Sequence, residues 1–487
     1  MTPLKLALVN PPFEYYPGIK AKSFSYTRPP LGIAYLASYL RENFSSEIQI
    51  RLIDCEAELI KSAQDAIKVI LQSKPDVVGL STVTGTYHAV AEIAQLVKEA
   101  KPNTVLIAGG PHVTALPEEP ILGVDVKVIS EGETSLLQYL EARFLNGKNS
   151  QIDGCIEFED GKIVSRGAPR ELIEQLDTIP MPAWDLLRKG AYYHSYPYKR
   201  VHNFTTMFTS RGCPFCCTFC GNELLWQRRV RYHSLDRVYQ EIKHLVKEDY
   251  NLIFFDDDTF TSNRSRVVSI CEYIKKHHPA LRWVCHIRAD TVDKDVLTLM
   301  KKAGCVEVQV GIESGDEQVL KNTNKGLDLN VTRETFKWLH SLRINSWATF
   351  ILGNSGETPA TIQKTIKLAN ELNPTYCSFI ALLPFPGTRA FEEFKEKGWI
   401  TTYDWRNYSW HGRPIINLPE LSTDDLVQWR KRAYKAFYLR PKKLLQSALN
   451  LLQALSWREM VRNFLAWLVL VSPKRAQQKY ANQLRKS

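Results

Sequence analysis

Four cysteines lie within eight residues of one another, from Cys213 to Cys220, in the stretch TSRGCPFCCTFCGN. Cysteines packed this closely are typical of a metal site, because so short a loop cannot form a hydrophobic core. Cys213, Cys217 and Cys220 have the spacing C-x3-C-x2-C. A cubic iron–sulfur cluster is normally held by four thiolates, so a loop that supplies three leaves one iron with an open position. An open metal position is a reactive site rather than a structural one.

The same cysteines permit two other kinds of metal site. Cys213/Cys216 and Cys217/Cys220 are both C-x2-C pairs, as in zinc ribbons. Zinc ribbons, however, separate their pairs by roughly 12–20 residues so that both can surround one ion. Cys216 could also complete a four-thiolate cluster for electron transfer, although its position beside Cys217 makes that geometry awkward. We therefore expect Cys213, Cys217 and Cys220 to hold a [4Fe–4S] cluster and Cys216 to be a bystander.

This cysteine motif resembles the signature of the radical S-adenosylmethionine (radical SAM) enzymes. Gly212, just before the first ligand, and Phe219, just before the last, also look like that family. The resemblance implies that the amino and carboxylate groups of SAM bind the open iron. It further implies that an electron from the cluster splits the sulfonium and releases a 5′-deoxyadenosyl radical. No catalytic residue beyond the cluster ligands is predicted.

The cysteine loop follows the first of six strand-like segments that alternate with helical patterns across residues 201–390. The strands are predicted at 204–210, 251–256, 282–288, 305–312, 345–352 and 375–383. The helices are predicted at 235–248, 263–278, 293–303, 329–342 and 358–371. Six such units predict a partial (β/α)6 TIM-type barrel, whose site lies at the carboxyl ends of the strands. The cysteine loop is therefore expected at the mouth of this barrel.

Polar residues follow the predicted barrel strands, where the mouth should lie. By the same resemblance, the residues expected to bind SAM are Phe219, Asp257, Asp258, Arg288, Glu313 and Ser314. A cationic amine in a poorly solvated mouth needs anionic acceptors, and the planar fork of arginine suits a carboxylate. Glu357 is a further candidate, in GNSGET where relatives commonly read G-x-P-G-E-T. Helix N-capping is the alternative role for Asp258, Ser314 and Thr358.

A second set of alternating strands and helices occupies residues 1–145. Its strands are predicted at 4–9, 48–54, 75–82, 103–110 and 124–130, with helices between them. Short strands that are apolar on both faces predict a doubly wound, Rossmann-like parallel sheet. Such sheets bind ligands at the carboxyl ends of their strands. The overall fold class expected is therefore α/β, with a Rossmann-like sheet followed by a partial barrel and a helical tail.

The N-terminal segments RPPLGIAYLASYL, IAGGPHVT and EGE resemble the cobalamin-binding domain that precedes the radical SAM domain in one large subfamily. The residues that this resemblance assigns to cobalamin are Ser81, Thr82, Gly109, Gly110, Pro111 and His112. The first loop, residues 10–18, lacks the D-x-H-x-x-G of domains that ligate cobalt through histidine. We therefore expect cobalt without a protein imidazole, and His112 to order its own loop rather than bind the metal. A degenerate Rossmann fold that binds nothing is the alternative.

Two segments outside these domains organise the chain. Residues 146–200 are predicted to be a connector that contains a hairpin around Asp160-Gly161. Residues 391–487 form a C-terminal region, in which the aromatic segment 401–414 is expected to be a lid or a wall of the substrate site, with core packing as the equal alternative. The basic, aromatic helical segment 429–471 has an apolar run of only 464–471, short of the ~20 residues that span a bilayer. It is predicted to lie on an anionic membrane surface, with packing against the barrel as the alternative.

The charge of the chain is concentrated at one end. The whole sequence of 487 residues carries +11. Residues 429–487 contain 14 Lys/Arg and one Glu, a net charge of +13, which leaves −2 for the rest. This distribution argues against a nucleic-acid enzyme with basic surfaces around its site. No secretory leader precedes the first strand, so we expect a cytoplasmic protein, with the tail at the inner face of the membrane.

The two motifs together resemble the subfamily of the hopanoid methylases and the anaerobic tetrapyrrole cyclases. The resemblance implies methyl transfer to an unactivated carbon of a hydrophobic small molecule or lipid, with an electron donor of flavodoxin or ferredoxin type. A cyclase, mutase or oxidase of the same build is the alternative. An RNA methylthiotransferase is disfavoured, because such relatives carry a further three-cysteine cluster and only Cys55 and Cys155 precede the motif. A non-catalytic Fe–S membrane adaptor is the remaining alternative.

Overall fold

The alternating pattern of the sequence produces two parallel sheets in the computed structural model. The structure describes residues 2–13, 27–147, 151–195, 200–201, 203–410, 412–441 and 443–445. The predicted α/β class is confirmed, with a Rossmann-like sheet in the first half of the chain and an open six-stranded sheet in the second.

The first sheet has the strand order β2-β1-β3-β4-β5-β6-β7. Its strands are β1 Leu4–Asn10, β2 Ile48–Asp54, β3 Val77–Ser81, β4 Val105–Gly109, β5 Val126–Val128, β6 Cys155–Glu159 and β7 Lys162–Arg166. The first five are parallel, and β6 and β7 are antiparallel to their neighbours. The hairpin that we assigned to a connector is therefore an extension of the first sheet, because β6 pairs directly with β5.

Helices cover both faces of this sheet. They are α1 Leu31–Asn43, α2 Ala63–Gln72, α3 Tyr87–Ala100, α4 Pro111–Ala115 and α5 Gly132–Phe144. Strand β1 shows how the two faces are separated: Leu6 and Leu8 pack with α1 and α5, whereas Ala7 and Val9 pack with α2 and α3. Successive side chains of a strand point to opposite faces, so a strand buried on both sides must be apolar throughout.

The second sheet has the order β10-β13-β14-β15-β16-β17 and is parallel throughout. The strands after the first sheet are β8 His194–Ser195, β9 Arg200–Val201, β10 Phe204–Met207, β11 Ser210–Arg211, β12 Arg231–Tyr232, β13 Leu252–Phe255, β14 Arg282–Ile287, β15 Cys305–Glu313, β16 Asn345–Leu352 and β17 Tyr376–Ala381. All six predicted barrel strands are present. Strands β10 and β17 are the two edges of this sheet, so the barrel stays open.

Helices between and after these strands complete the β/α units of the second sheet. They are α6 Asn222–Trp226, α7 Leu235–Lys247, α8 Arg264–His277, α9 Lys294–Lys302, α10 Glu317–Asn322, α11 Leu329–Ser341, α12 Pro359–Leu372, α13 Arg389–Glu396 and α14 Thr423–Tyr438. Thr358 caps α12, as the capping alternative proposed. Ser314 caps no helix itself; Asp316, two residues later, accepts hydrogen bonds at the start of α10.

The C-terminal helix α14 covers the edge strand β17. The hydroxyl of Tyr438 accepts a hydrogen bond from the Cys377 backbone N–H at 3.0 Å and donates one to the Cys377 carbonyl at 2.9 Å. The Tyr434 hydroxyl accepts from the Phe379 N–H at 3.3 Å. An uncovered edge leaves backbone groups unpaired and invites pairing with other chains. Residues 429–438, which we predicted to lie on a membrane, pack on the barrel instead.

The remainder of that predicted segment, from residue 446 onward, lies outside the described residues. None of the helices in the described part of the chain combines the length and the apolar character needed to cross a bilayer.

Ion pairs join the two sheets beside the cysteine loop. The guanidinium of Arg211, on β11, lies 2.6 Å from a carboxylate oxygen of Glu131 and 2.7 Å from one of Glu133, at the start of α5. Arg231 adds a second pair to Glu131 at 2.7 Å. Burial alone would raise the pKa of Glu131, but the two guanidinium groups and the Ile173 backbone N–H bring it below its usual value. We call these four side chains, Arg211, Arg231, Glu131 and Glu133, the interdomain clamp.

The sign of this pKa shift sets the pH range over which the clamp acts. Because the pKa of folded Glu131 is lowered, its contribution to stability is present above the unfolded value of about 4.3. The contribution is lost as the pH falls through the lower, folded value.

Removal of one clamp residue tests the importance of these pairs. Arg211→Ala leaves two buried carboxylates with less compensation, so we expect a loss of about 3–5 kcal/mol in the free energy of unfolding. The matched control is Arg228→Ala, which breaks an exposed pair with Glu223 and should cost about 0–1 kcal/mol. Urea unfolding of the full chain measures both. Equal losses in the two variants would contradict the role assigned to the clamp.

Candidate functional site

The cysteine loop begins at the carboxyl end of β10, on the edge of the second sheet where a barrel site is expected. Its first residues form β11, which pairs antiparallel with β12. Gly212 then turns the chain with a φ of +99°. A Cβ at this position would lie 2.0 Å from the carbonyl oxygen of Arg229. Only glycine fits here, because both the left-handed backbone and the close approach exclude a side chain.

Hydrogen bonds hold the loop against neighbouring strand ends. The Cys213 N–H donates to the Asn222 side-chain oxygen at 3.1 Å, and the Asn222 amide donates to Asp258 at 2.9 Å. On the other side of the loop, the Thr218 N–H donates to the Thr323 carbonyl at 2.9 Å. The predicted SAM residue Asp258 therefore contacts the loop that carries the cluster ligands.

Two of the three predicted ligands, Cys213 and Cys217, lie near polar or charged side chains of the barrel mouth. The sulfur of Cys213 lies 3.3 Å from the Thr259 hydroxyl. Burial raises the pKa of the Cys217 thiol; Glu313 and Cys213 also raise it, whereas Lys325 and Arg288 lower it. The thiol is thus close to the residues at the ends of β14 and β15.

The donor set fits an iron–sulfur cluster better than a single ion. In the described part of the chain, no group of three or more His, Cys, Asp or Glu side chains converges as ligands of one metal ion would. Cys213 and Cys217 are half-buried and Cys220 is exposed. A cluster does not require convergence on one point, because each thiolate binds a different iron. Cys216 is also half-buried, and its bystander role stays a prediction.

Asp257 holds the cysteine loop, and its predicted contact with SAM stays a prediction. Its side chain is fully buried and accepts hydrogen bonds from the Thr209 N–H and hydroxyl at 3.0 Å each, and from the Ser210 hydroxyl. Burial raises its pKa to about 6, against these hydrogen bonds. One carboxylate oxygen, Oδ1, therefore holds the start of the cysteine loop, whereas Oδ2 is buried and has no hydrogen-bond partner among the described residues.

Arg288 lies at the end of β14, as predicted, but its fork is partly engaged. It donates to both oxygens of Asp290, at 2.9 and 2.7 Å, and to the Lys325 carbonyl at 2.9 Å. The ring of Phe215, in the cysteine loop, lies 3.7 Å from its guanidinium carbon. The remaining Nη1 is buried and has no hydrogen-bond partner among the described residues. This orphaned donor fits an anionic ligand group such as the carboxylate of SAM.

Glu313 ends β15 in an irregular turn. It has a φ of +69°, next to a break in the pairing with β16. Its carboxylate lies 3.0 Å from the ammonium of Lys325. A Cβ on Gly311 would lie 2.3 Å from that carboxylate, so glycine makes room for the pair. A non-glycine residue held at positive φ is strained, and such strain is concentrated at functional sites.

Three other candidates have structural partners. Ser314 is fully buried, lies 3.3 Å from the Thr365 hydroxyl and accepts from the Asp316 N–H, so it orders its loop rather than facing the mouth. Phe219 is half-buried against the core of the second sheet. Glu357 accepts hydrogen bonds from the backbone of its own loop, at Gly353 and Asn354, and burial raises its pKa to about 8.

The predicted cobalamin residues lie at the carboxyl edge of the first sheet. Ser81, Gly109 and Gly110 are half-exposed and Pro111 is exposed, whereas Thr82 is buried behind them. The Thr82 N–H donates to the Gly109 carbonyl at 2.7 Å. Gly110 has a φ of +110°, and a Cβ there would lie 2.9 Å from the Thr82 carbonyl. The edge therefore presents backbone to a ligand, with Thr82 as its support.

His112 faces away from this edge. Its ring is 2% exposed and packs against Tyr87 at 4.9 Å and Trp405 at 5.2 Å. Its Nδ1 lies 3.2 Å from the Thr84 hydroxyl. Burial, with help from Lys127, lowers its pKa to about 4, so the imidazole is neutral at physiological pH. These contacts agree with a role in ordering the loop, and they leave the buried Nε2 without a hydrogen-bond partner among the described residues.

Two residues of the aromatic segment 401–414, Trp405 and Tyr408, pack against the loops of both sheets. The ring of Trp405 packs against that of His112, after β4 of the first sheet. The ring centroid of Tyr408 lies 4.8 Å from that of Trp405 and 6.1 Å from that of Phe385, after β17. The segment thus ties the loops of the two sheets together. Trp410, in contrast, is 56% exposed.

A cavity of about 200 Å³ lies between the two sheets' loop edges. It is lined by Val83, Thr84, Pro111, Gly221, Leu224, Leu225, Phe385 and Pro386. The first three belong to the cobalamin edge, the next three follow the cysteine loop, and the last two follow β17. Most of these side chains are apolar.

Several residues of the site were missed by the sequence analysis. Lys325, Thr259 and Phe215 all contact predicted site residues. Phe215 lies within the cysteine motif and was open to recognition, whereas Lys325 follows a short helix and carries no local signal. Asn222, at the end of the motif, could have been suggested as a cap of the loop.

The sequence matches two known families. Residues 207–369 match the Radical SAM superfamily, and residues 19–140 match the B12 binding domain. The chain is 33% identical over 452 residues to an uncharacterized methyltransferase of Pyrococcus horikoshii, which covers 92% of this chain and 95% of that protein. It is 29% identical over 426 residues to the anaerobic magnesium-protoporphyrin IX monomethyl ester cyclase of Rubrivivax gelatinosus, which covers 84% of this chain and 74% of the cyclase.

Solved structures with the same architecture carry the expected groups. The cobalamin-dependent SAM radical enzyme OxsB, with aqua-cobalamin and SAM bound, has a TM-score of 0.70 at 19% identity and covers 100% of this chain and 75% of that one. The methyltransferase TsrM from Kitasatospora setae, with cobalamin and a [4Fe–4S] cluster bound, has a TM-score of 0.67 at 16% identity, with coverage of 100% and 99%. At these identities the likeness concerns the fold.

The geometry at Gly212 predicts a defect that can be separated from a general loss of stability. Gly212→Ala forces a side chain into a left-handed backbone, at a cost of about 1 kcal/mol or more, and into the Arg229 carbonyl. We expect the loop to shift and iron incorporation to fall. The matched control is Gly221→Ala in the same loop, where the φ is −73° and nothing lies within 4 Å of an added Cβ. Iron and sulfide analysis after anaerobic reconstitution measures the difference, and equal iron content would contradict it.

Proposed function

The chain belongs to the radical SAM enzymes that carry a B12-binding domain, and from this premise we propose that it methylates an unactivated carbon of a hydrophobic small molecule or lipid. Membership makes it an enzyme with a [4Fe–4S] cluster, SAM and cobalamin as cofactors. Such an enzyme needs a reductant and a small-molecule substrate. We propose a flavodoxin or ferredoxin as the electron donor.

The proposal assigns each cofactor to residues of this chain. Cys213, Cys217 and Cys220 would hold the cluster. Around the same loop, the unpaired Nη1 of Arg288 would receive the carboxylate of SAM, with Asp258, Glu313 and Phe219 beside it. The half-exposed edge formed by Ser81, Gly109, Gly110 and Pro111 would support cobalamin, with Thr82 and His112 holding it from behind. When bound, these groups supply the electron, the hydrogen-abstracting radical and the methyl group.

The observation that carries the proposal is the shared cavity of about 200 Å³. The edge proposed for cobalamin and the loop proposed for the cluster both line it, so one substrate carbon could be reached from both sides. Its apolar walls, among them Val83, Leu224 and Phe385, favour a hydrophobic part of the substrate and exclude water. The protein's own contribution is to position the reacting groups and to keep competing quenchers away.

The contacts of the cysteine loop also support a fixed position of the proposed cluster site relative to the first sheet. The interdomain clamp fixes the start of the cysteine loop to α5, which follows the edge of the first sheet. Asp257 fixes the same start to β13. A reaction between groups held on two separate sheets requires such rigidity, because small misplacements of reacting groups cost large factors in rate.

A non-methylating reaction is the second candidate. It is favoured by the likeness to the anaerobic magnesium-protoporphyrin IX monomethyl ester cyclase, which spans 84% of this chain. The product mass distinguishes the two, because methyl transfer adds one methylene unit to the substrate and cyclisation adds none.

Substitution of the cysteines tests the assignment of the cluster. Under anaerobic conditions with SAM, cobalamin and a reductant, we expect the wild type to produce 5′-deoxyadenosine and to retain a corrinoid. Cys213→Ala, Cys217→Ala and Cys220→Ala should each abolish nucleoside production, because the cluster loses a ligand. Cys216→Ala is the matched control within the motif and should retain it.

Two results would contradict this proposal in different ways. Nucleoside production by any of the three ligand variants at the wild-type rate would remove the cluster assignment. A protein that cleaves SAM but binds no corrinoid would remove the methylation proposal and leave the radical SAM assignment intact.

A further inference from the structure

On the inner face of the open barrel, many side chains are only partly shielded from solvent by the described residues. Along β15, β16 and β17, buried and half-exposed residues alternate. The buried set, including Val308, Val310 and Phe350, belongs to the core beneath the outer helices. The half-exposed set therefore points inward. In a filled barrel the inward residues would be fully buried, so this part of the interior, which we call the lumen, is hollow within the described residues.

The lumen is lined in rows that follow the register of the strands. His286 on β14 pairs with Gln309 on β15, which pairs with Trp347 on β16. In the next row, Gly311, which has no side chain, pairs with Thr349 on β16, which pairs with Ser378 on β17. Most of these side chains can form hydrogen bonds. This composition contrasts with the apolar walls of the cavity at the loop edges.

His286 lies below the proposed SAM site. It is two residues before Arg288, which directly follows β14 in extended backbone. The two side chains therefore point to the same face, and His286 lies about 7 Å deeper. Its side chain is 32% exposed, although it lies in the middle of a parallel sheet. A side chain with these properties faces the space that a substrate would enter beneath the reacting groups.

The contacts of His286 determine which of its nitrogens is available. Its Nε2 lies 3.3 Å from Oδ1 of Asp256. The guanidinium of Arg28 lies 2.5 Å from the same oxygen, and the ring of Phe254 packs beneath both Arg28 and His286. Burial would raise the pKa of Asp256, but Arg28 and His286 together lower it, so the group is a carboxylate. A carboxylate only accepts hydrogen bonds, and Nε2 must therefore carry the proton.

The other ring nitrogen is left as an acceptor. When Nε2 of a neutral imidazole carries the proton, Nδ1 presents a lone pair. Among the described residues, no hydrogen-bond partner contacts Nδ1 of His286. The indole N–H of Trp347, by contrast, donates a hydrogen bond to the Ser378 hydroxyl at 2.8 Å.

We propose that His286 binds the substrate, by accepting at Nδ1 a hydrogen bond from a hydroxyl or amine group that the substrate carries. The inference rests on the proposed function and deepens it, because it adds a polar, hydrogen-bond-donating group to the hydrophobic substrate. That group lies in the lumen, and the apolar part extends toward the cavity at the loop edges. Gln309, the register partner of His286, is the next side chain able to contact it.

The test compares two isomeric probes that differ only in the ability to donate a hydrogen bond, namely hexanol and methyl pentyl ether. Ligand-observed NMR measures their affinity for the reconstituted full-length protein, at the same pH for both probes. We expect the wild type to prefer hexanol by roughly threefold to tenfold, the size of one net hydrogen bond. His286→Phe should abolish this preference, because it removes the acceptor but keeps an aromatic ring.

Two further variants separate binding from folding. His286→Asn places an amide oxygen near the position of Nδ1 and should restore part of the preference. His277→Phe makes the same change at an exposed position at the end of α8 and should leave it intact. The inference is overturned if the wild type binds both probes equally, if it binds neither, or if His286→Phe still prefers hexanol. Probe binding needs no turnover, so a failure of SAM cleavage would count against the proposed function alone.

Discussion

Parallel strands end on one edge of their sheet, and this protein has two such sheets whose carboxyl edges must stay together. The interdomain clamp meets that requirement with buried charges. Arg211 stands at the start of the cysteine loop and is held by Glu131 and Glu133, at the start of helix α5, which packs on the other sheet. Isolated buried charges are costly, so the guanidinium and carboxylate groups are stable only when the sheets are docked. The clamp therefore couples the position of the cluster loop to the edge that faces it.

The polar residues at the barrel mouth divide into two groups. One group holds loops: Oδ1 of Asp257 accepts hydrogen bonds from the start of the cysteine loop, and the buried Ser314 hydroxyl lies beside that of Thr365. The other group still has a hydrogen-bond donor that could bind a ligand, namely the buried, unpartnered Nη1 of Arg288. Similar residue types at similar places thus have different roles, and the difference lies in their hydrogen-bond partners.

The C-terminal region also contributes to the architecture more than to the chemistry. Helix α14 supplies two tyrosine hydroxyls to the backbone of β17, the edge strand of the open barrel. The segment before it brings Trp405 onto His112 and Tyr408 toward Phe385. An open barrel has an exposed edge and an incomplete interior, and these contacts protect the former while joining the loops of the two sheets.

The sequence by itself determined the fold class, the order of the elements and the cluster motif. Apolar periodicity is a local property, and the strands and helices follow from it closely, as β2 at Ile48–Asp54 illustrates. The spacing of Cys213, Cys217 and Cys220 is likewise local, because the ligands of one loop must be close along the chain.

Only the tertiary structure decided which way each polar side chain faces. A sequence places Asp256 and Asp257 side by side, but the alternation of a strand end sends one to the lumen beside His286 and the other to the cysteine loop. It also cannot show that the hairpin of β6 joins the first sheet, or that residues 429–438 pack on β17, since both depend on partners far away in the chain. Hydrogen-bond partners are decided by packing, and packing brings together residues that no local pattern connects.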